Sequence, residues 1–377
     1  MKIISRAAID ILFVVTLLIL FSLQKPSTIF FAYLLPFVYF LATMVNYRVR
    51  KSSFILICLV ILLCLPAAIS MNHNITPLFY LLFSPFLCLA AYKIGSNPLP
   101  HVKSVVFKSY WLFTFAIIVG AALNWDAVEP LGAIIPGASQ NGLPSYLIVL
   151  LTAYLITAYA ESGRLPIFPS LVTLAIALIG QGRGSIIVAF FIVSFSILIN
   201  FLHITNKNYR AIFIFAVPVL IALFVIVFST QIEGAYEEIY NATRLSQGFL
   251  DEHRGQMLAD YVQKLDGLSL LFGANYEGTS ILTNYGGNPH SSFIRLHSFY
   301  GIFGFLILAI PLGLAMLANK KKMDKFVIFS LISFALIRAA TEPIFFPSAL
   351  DFFYYIYFVI FFKHYALSNH IHRKYAP

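Results

Sequence analysis

Three arginines and one histidine carry the chemistry open to this chain: Arg183, Arg254, Arg338 and His290. A guanidinium is planar, permanently charged and forked, so it grips oxyanions two oxygens at a time. An imidazole exchanges its proton near about pH 6.5, which suits it to take or orient the proton of a hydroxyl. Arginines at or inside a membrane boundary are functional candidates by default, with snorkelling to lipid headgroups as the bland alternative. Glu342 follows Arg338 by four residues, the spacing of an ion pair across one helical turn, which would make both structural.

The elements that must position these residues follow from composition. In 377 residues, 60% are apolar and only 11% are Asp, Glu, Lys or Arg, against roughly 25% charged in a soluble domain. Such a chain is expected to be all-α and polytopic, an integral membrane protein. The net charge of +10 is dispersed over short segments rather than forming a stripe, which argues against nucleic acid. Cys58, Cys64 and Cys88 lie inside apolar runs and read as small core residues. No local metal-binding or nucleotide-binding motif occurs, so no metal and no cofactor is expected. The first 23 residues have a basic start and an apolar stretch without a small-residue cleavage site, and read as a retained first span.

Apolar runs broken by polar, Pro or Gly residues predict about twelve transmembrane helices. They fall near 7–23, 28–46, 53–71, 77–93, 104–124, 144–163, 165–181, 185–204, 210–230, 299–319, 325–340 and 345–363. The seams at Arg164 and Arg183 are short enough to be re-entrant turns. The division is nine helices over 1–230, a large loop over 231–298, and three helices with a tail over 299–377, as one integrated membrane domain. Placing both termini in the cytoplasm puts most Lys and Arg residues inside. It leaves Lys25, Arg183, Arg244, Arg254, Lys264, Arg295 and Arg338 outside, where the insertion bias least favours cations. Lys25, beside Pro26, reads as a solvated turn. An arginine retained on that side is expected to bind something.

The 231–298 segment is too long for a casual connection. Helix-like spacing predicts amphipathic helices over 233–249 and 255–265, lying on the membrane surface. The segment closes on Asn288-Pro289-His290-Ser291-Ser292. A helix starting at Pro289 would align His290, Ile294, His297, Gly301 and Gly304 in one stripe. His290 would then stand at the outer interface, as a reactive or a headgroup-facing residue. His297 would be packed and hydrogen-bonded, and the two glycines would admit a neighbouring helix. Tyr236, Tyr240, Tyr276 and Tyr285 suit either stacking on sugar rings or interfacial anchoring, and Asp126 and Glu129 suit sugar contact or plain solvation. Asp351, inside an apolar run, is costly unless paired, and the sequence names no partner.

These features together resemble a family. His290-Ser291, nine residues, then Gly301-x-x-Gly304 resembles the signature of bacterial O-antigen ligases and O-antigen polymerases. Gly182-Arg183-Gly184-Ser185 is similar to their Ser-Arg-Gly element, with Gly182 in place of serine. Arg254 with Gln256, Met257 and Leu258, then Leu271-Phe272-Gly273, is similar to the stretch opening the second half of their large periplasmic loop. The likeness covers about residues 170–320 and the overall topology.

The resemblance implies a metal-independent, inverting glycosyltransferase of the bacterial inner membrane with a periplasmic active site. Its donor would be a polyprenyl-diphosphate-linked oligosaccharide, and its other partners membrane lipids and a chain-length regulator protein. In that scheme Arg183, Arg254 and Arg338 bind the diphosphate, and His290 is the catalytic residue that takes or orients the acceptor's proton. A polymerase of repeat units is the leading expectation, because Tyr300 stands where ligases often carry an acidic residue. A ligase acting on lipid A-core is the alternative. A flippase of the same lipid-linked sugars is the third, though no internal repeat is evident.

Overall fold

The computed structural model describes residues 6–23, 25–44, 58, 61, 62, 65, 76–135, 140–203 and 252–374. The spans predicted at 53–71 and 210–230, and the first outer helix at 233–249, lie essentially outside the described residues. Among those described, all regular structure is helical. In chain order the helices are α1 (Arg6–Ser22), α2 (Pro26–Met44), α3 (Thr76–Gly95), α4 (Leu99–Leu123), α5 (Pro130–Ile134), α6 (Gly142–Ser162), α7 (Ile167–Ile179) and α8 (Arg183–Leu202). After the undescribed stretch come α9 (Glu252–Gln263), α10 (Gly267–Phe272), α11 (Ser280–Tyr285), α12 (Ser292–Tyr300), a 3-10 turn (Gly301–Phe303), α13 (Gly304–Leu317), α14 (Lys322–Ala340) and α15 (Asp351–Lys374).

Four helical stretches are long and apolar enough to cross a membrane: Leu99–Leu123, Gly142–Ser162, Arg183–Leu202 and Ser292–Leu317. Their exteriors are apolar as well as their interiors. Leu12, Phe115, Phe168, Phe190 and Leu317 are all exposed, a distribution that suits hydrocarbon rather than water. At 13 residues, α7 is about 20 Å long by helical rise, too short for the full bilayer core.

Helix α6 is the axis of the molecule, buried on every side between Gly142 and Tyr159. It packs against α4, α7, α14 and α15. Tyrosines fasten this bundle by donating to backbone oxygens that helix geometry leaves able to accept again. Tyr357 reaches Val149 O at 2.7 Å and Tyr354 reaches Leu308 O at 2.7 Å. Tyr110 bonds both Pro169 O and Thr173 Oγ1, joining α4 to α7. Gly163, at φ 68°, ends α6 in the left-handed conformation that a side chain resists. Asp10, buried in α1, is met by Tyr39 Oη and His101 Nε2, each at 2.7 Å.

Contacts between helix ends, Phe21 with Tyr146, Tyr33 with Tyr80, Tyr80 with Arg295, and Ser185 with Ser145 and Arg338, fix which ends lie together. They gather the end of α1, the starts of α2, α3, α6, α8 and α12, and the end of α14 at one end of the bundle. The outer segment from α9 to α11 sits over that end. It has its own small core of Met257, Tyr261, Ala274, Tyr276, Ile281 and Ile294. The predicted helix at 255–265 corresponds to α9, whose Met257 and Tyr261 face inward while Leu258 and Val262 remain exposed.

Candidate functional site

His290 does not begin a helix. Asn288 Oδ1 accepts its backbone N–H at 2.9 Å, and its φ is 46°. The helix starts two residues later, capped by the Ser291 hydroxyl, which accepts from the amides of Phe293 and Ile294. A serine cap satisfies amides that Pro289 could not, so the predicted start at Pro289 is corrected to Ser292. Freed from the helix, the His290 ring turns edge-on to Tyr285, at 5.5 Å and 88°. His297 keeps its predicted character: Nδ1 is 2.8 Å from Tyr261 Oη and Nε2 is 3.0 Å from Leu270 O.

The two glycines of the stripe do not admit a neighbouring long helix. Gly301 has φ 59° and ψ −155°, a region essentially closed to side chains. It breaks the span between α12 and α13, and a Cβ there would strike the backbone of Leu271 and Phe272 at the end of α10. Gly273, at φ 92°, meets the backbone of His297 and Ser298 in the same way. Leu271-Phe272-Gly273 and Gly301, read separately in the sequence, are two halves of one interlock. Gly304 faces its own preceding turn, Tyr300 and Leu296.

A cavity of about 770 Å³ opens where the outer segment meets the helix ends. His290, Arg295 and Glu342 border it, with Asn275 and Glu277 from the outer segment. Its aromatic lining is Tyr80, Tyr146, Tyr276, Phe21 and Phe299. Ser292 pins the floor, donating to Glu342 O at 2.7 Å and accepting from the Phe345 amide at 3.0 Å.

Of the four predicted site residues, only His290 lines this cavity. Arg338 is 2% exposed and lies behind Glu342. Its Nη2 is 3.2 Å from Glu342 Oε1, its Nε donates to Ser185 Oγ at 2.9 Å, and its Nη1 donates to Thr341 Oγ1 at 2.6 Å. Every nitrogen of that guanidinium therefore has a protein acceptor, and the pair with Glu342 expected from the i,i+4 spacing is present. Arg183 opens α8, and the same turn supplies Ser185; Gly184 leaves room for Thr341 and Arg338. Arg254, on α9, stands close enough for its charge to act on Arg338. Arg183 and Arg254 thus flank the Arg338–Glu342 pair, outside the cavity lining.

Arg295 was not singled out by its sequence context, yet it borders the cavity. Its Nη1 donates to Pro343 O at 3.1 Å and its Nη2 to Tyr80 Oη at 3.3 Å. Its place among the outward cations was the available signal; its neighbours come from distant parts of the chain. Asp351 finds hydrogen-bond partners in the backbone: its carboxylate accepts from the amides of Phe346 and Ser348, at 2.8 and 3.0 Å.

In the outer segment, burial pushes the Tyr276 phenol up to about 12 and also raises that of Tyr261. Asp260 is held below the usual carboxylate range by hydrogen bonds from Ser280. Among the described residues, no three His, Cys, Asp or Glu side chains gather as a metal-binding group. The arrangement can bind a polar, ring-bearing ligand against tyrosines and place an imidazole beside it. Compared with protein-family models, curated proteins and solved structures, the chain matches none.

Proposed function

We propose that this chain is a membrane glycosyltransferase that polymerises polyprenyl-diphosphate-linked oligosaccharide repeat units at the periplasmic face of a bacterial inner membrane. The observation that carries this reading is the aromatic-lined cavity bordered by His290, at the bundle end where the charge bias puts the outside. Apolar helix exteriors beside it give a lipid-linked donor a place for its tail, and tyrosines suit sugar rings.

In the proposed reaction the acceptor hydroxyl oxygen attacks the anomeric carbon of the donor. The bond from that carbon to the diphosphate oxygen breaks, and the lipid diphosphate leaves with the electron pair. His290 takes the hydroxyl proton or orients it toward departure. Arg183 and Arg254 are the proposed contacts of the leaving diphosphate on the sequence resemblance alone, since neither lines the cavity. Arg338, committed to Glu342, Ser185 and Thr341, positions the wall between them rather than binding substrate. The proposed partners are the lipid-linked glycan, membrane lipids and a chain-length regulator.

The test is reconstitution with purified lipid-linked repeat units and no other acceptor. A ladder of lengthened products supports the polymerase. Product only after addition of lipid A-core identifies a ligase, and transbilayer movement without a covalent change identifies a flippase.

A further inference from the structure

The cavity contains a cation that forms no direct ion pair among the described residues. The ion pairs among them are His101–Asp10, Lys103–Glu161 and Arg338–Glu342. Arg295 is in none of them, although it is half-buried and borders the cavity. Its acceptors are two neutral oxygens, Pro343 O and Tyr80 Oη. A guanidinium has five N–H donors, and those not used on these two have no acceptor among the described residues. Of the nearby carboxylates, Glu342 faces Arg338, while Asp351 spends its hydrogen bonds on two amides and acts on Arg295 only through space. Glu277 is exposed at the rim. An enclosed charge left with neutral partners is costly, and an anion in the adjoining space offsets that cost.

We infer that Arg295 binds an oxyanion of the ligand that fills this cavity, as a forked, charge-assisted contact. The glycosyltransferase reading supplies only the source of that oxyanion. Both candidates share the chemistry of two coplanar oxygens on one centre: a phosphate of the lipid diphosphate, or the carboxylate of an acidic sugar. Arg295 and His290 both border the cavity, so either group would share that space with the imidazole.

Binding to the full chain in nanodiscs tests this with two probe pairs. Geranylgeranyl diphosphate is compared with geranylgeraniol, and an oligoglucuronate with a neutral oligoglucose. At least one anionic probe should bind more tightly than its neutral partner, and the probe that does so names the source. Arg295→Gln should weaken that binding roughly ten- to a hundred-fold, and Arg295→Lys by less, because charge persists without the fork. Size-exclusion elution and helical circular dichroism check the fold of both variants. Equal binding of charged and neutral probes by the unaltered protein would overturn the inference, as would unchanged affinity in a folded Arg295→Gln. Absence of glycosyl transfer by a protein that still binds the anion through Arg295 would remove the proposed reaction alone.

Discussion

Arg338 Nη2 and Glu342 Oε1 stand 3.2 Å apart across one turn, and Glu342 also borders the cavity. One carboxylate therefore does two jobs, neutralising a buried guanidinium and shaping a wall. Glu342→Ala should cost about 3–5 kcal/mol of stability, because the guanidinium would be left uncompensated. The double change Arg338→Met, Glu342→Gln should recover much of that loss. Thermal unfolding in detergent measures both, and an undiminished midpoint in Glu342→Ala would contradict the pairing.

Gly301→Ala should disrupt the docking of α10 on α12, since the backbone conformation alone costs about 1–3 kcal/mol for a side chain. The carbonyl of Leu271 lies in the way as well. Gly313→Ala is the contrast: nothing lies within 4 Å of a Cβ there, and alanine suits a helix better than glycine. Protease resistance of the outer segment should fall in the first variant and hold in the second.

On the proposed function, in cells lacking the native protein, His290→Ala or Arg254→Ala should abolish glycan chain growth while protein level and insertion stay normal. Normal polymer length with either variant would end the proposed roles. Gel analysis of surface glycan, beside an immunoblot, reads both quantities at once.

Cysteines introduced as Arg183→Cys and Arg254→Cys should react with membrane-impermeant thiol reagents applied from the periplasmic side. Reaction from the cytoplasmic side alone at both positions would invert the proposed orientation.

Tyr276 is protonated more tightly folded than unfolded, its pKa raised from 10.0 to about 12 by burial. Its contribution to stability is therefore complete below the unfolded value and is lost as pH rises toward the folded one. Tyr276→Phe should flatten the fall in stability across that alkaline window. Alkaline unfolding followed by phenolate absorbance measures it, and an unchanged slope would count against the burial.

Much of the fold was legible because apolar runs, glycine breaks and charge bias are local signals. Helices α1, α2, α6 and α8 lie where those signals put them, and α9 follows its spacing of Met257 and Tyr261. The pairing of Arg338 with Glu342 was readable too, being one turn apart. What escaped was set by long-range contact. Gly301 has the sequence context of a helix-packing glycine until α10 is brought against it. Ser291 outcompetes Pro289 as a helix start only because its hydroxyl caps two amides. Arg295 acquires meaning from Tyr80 and Pro343, neither of them a sequence neighbour. Asp351 found its partners in amides just upstream, which composition does not reveal.

The bond from Arg295 to Tyr80 spans 215 positions, and the cavity draws walls from Phe21 to Ile344. A nascent chain leaving the ribosome therefore has no complete cavity until α14 and the residues after it have been made. Fragments ending before α14 would lack Glu342 and Pro343, and so could not close the cavity.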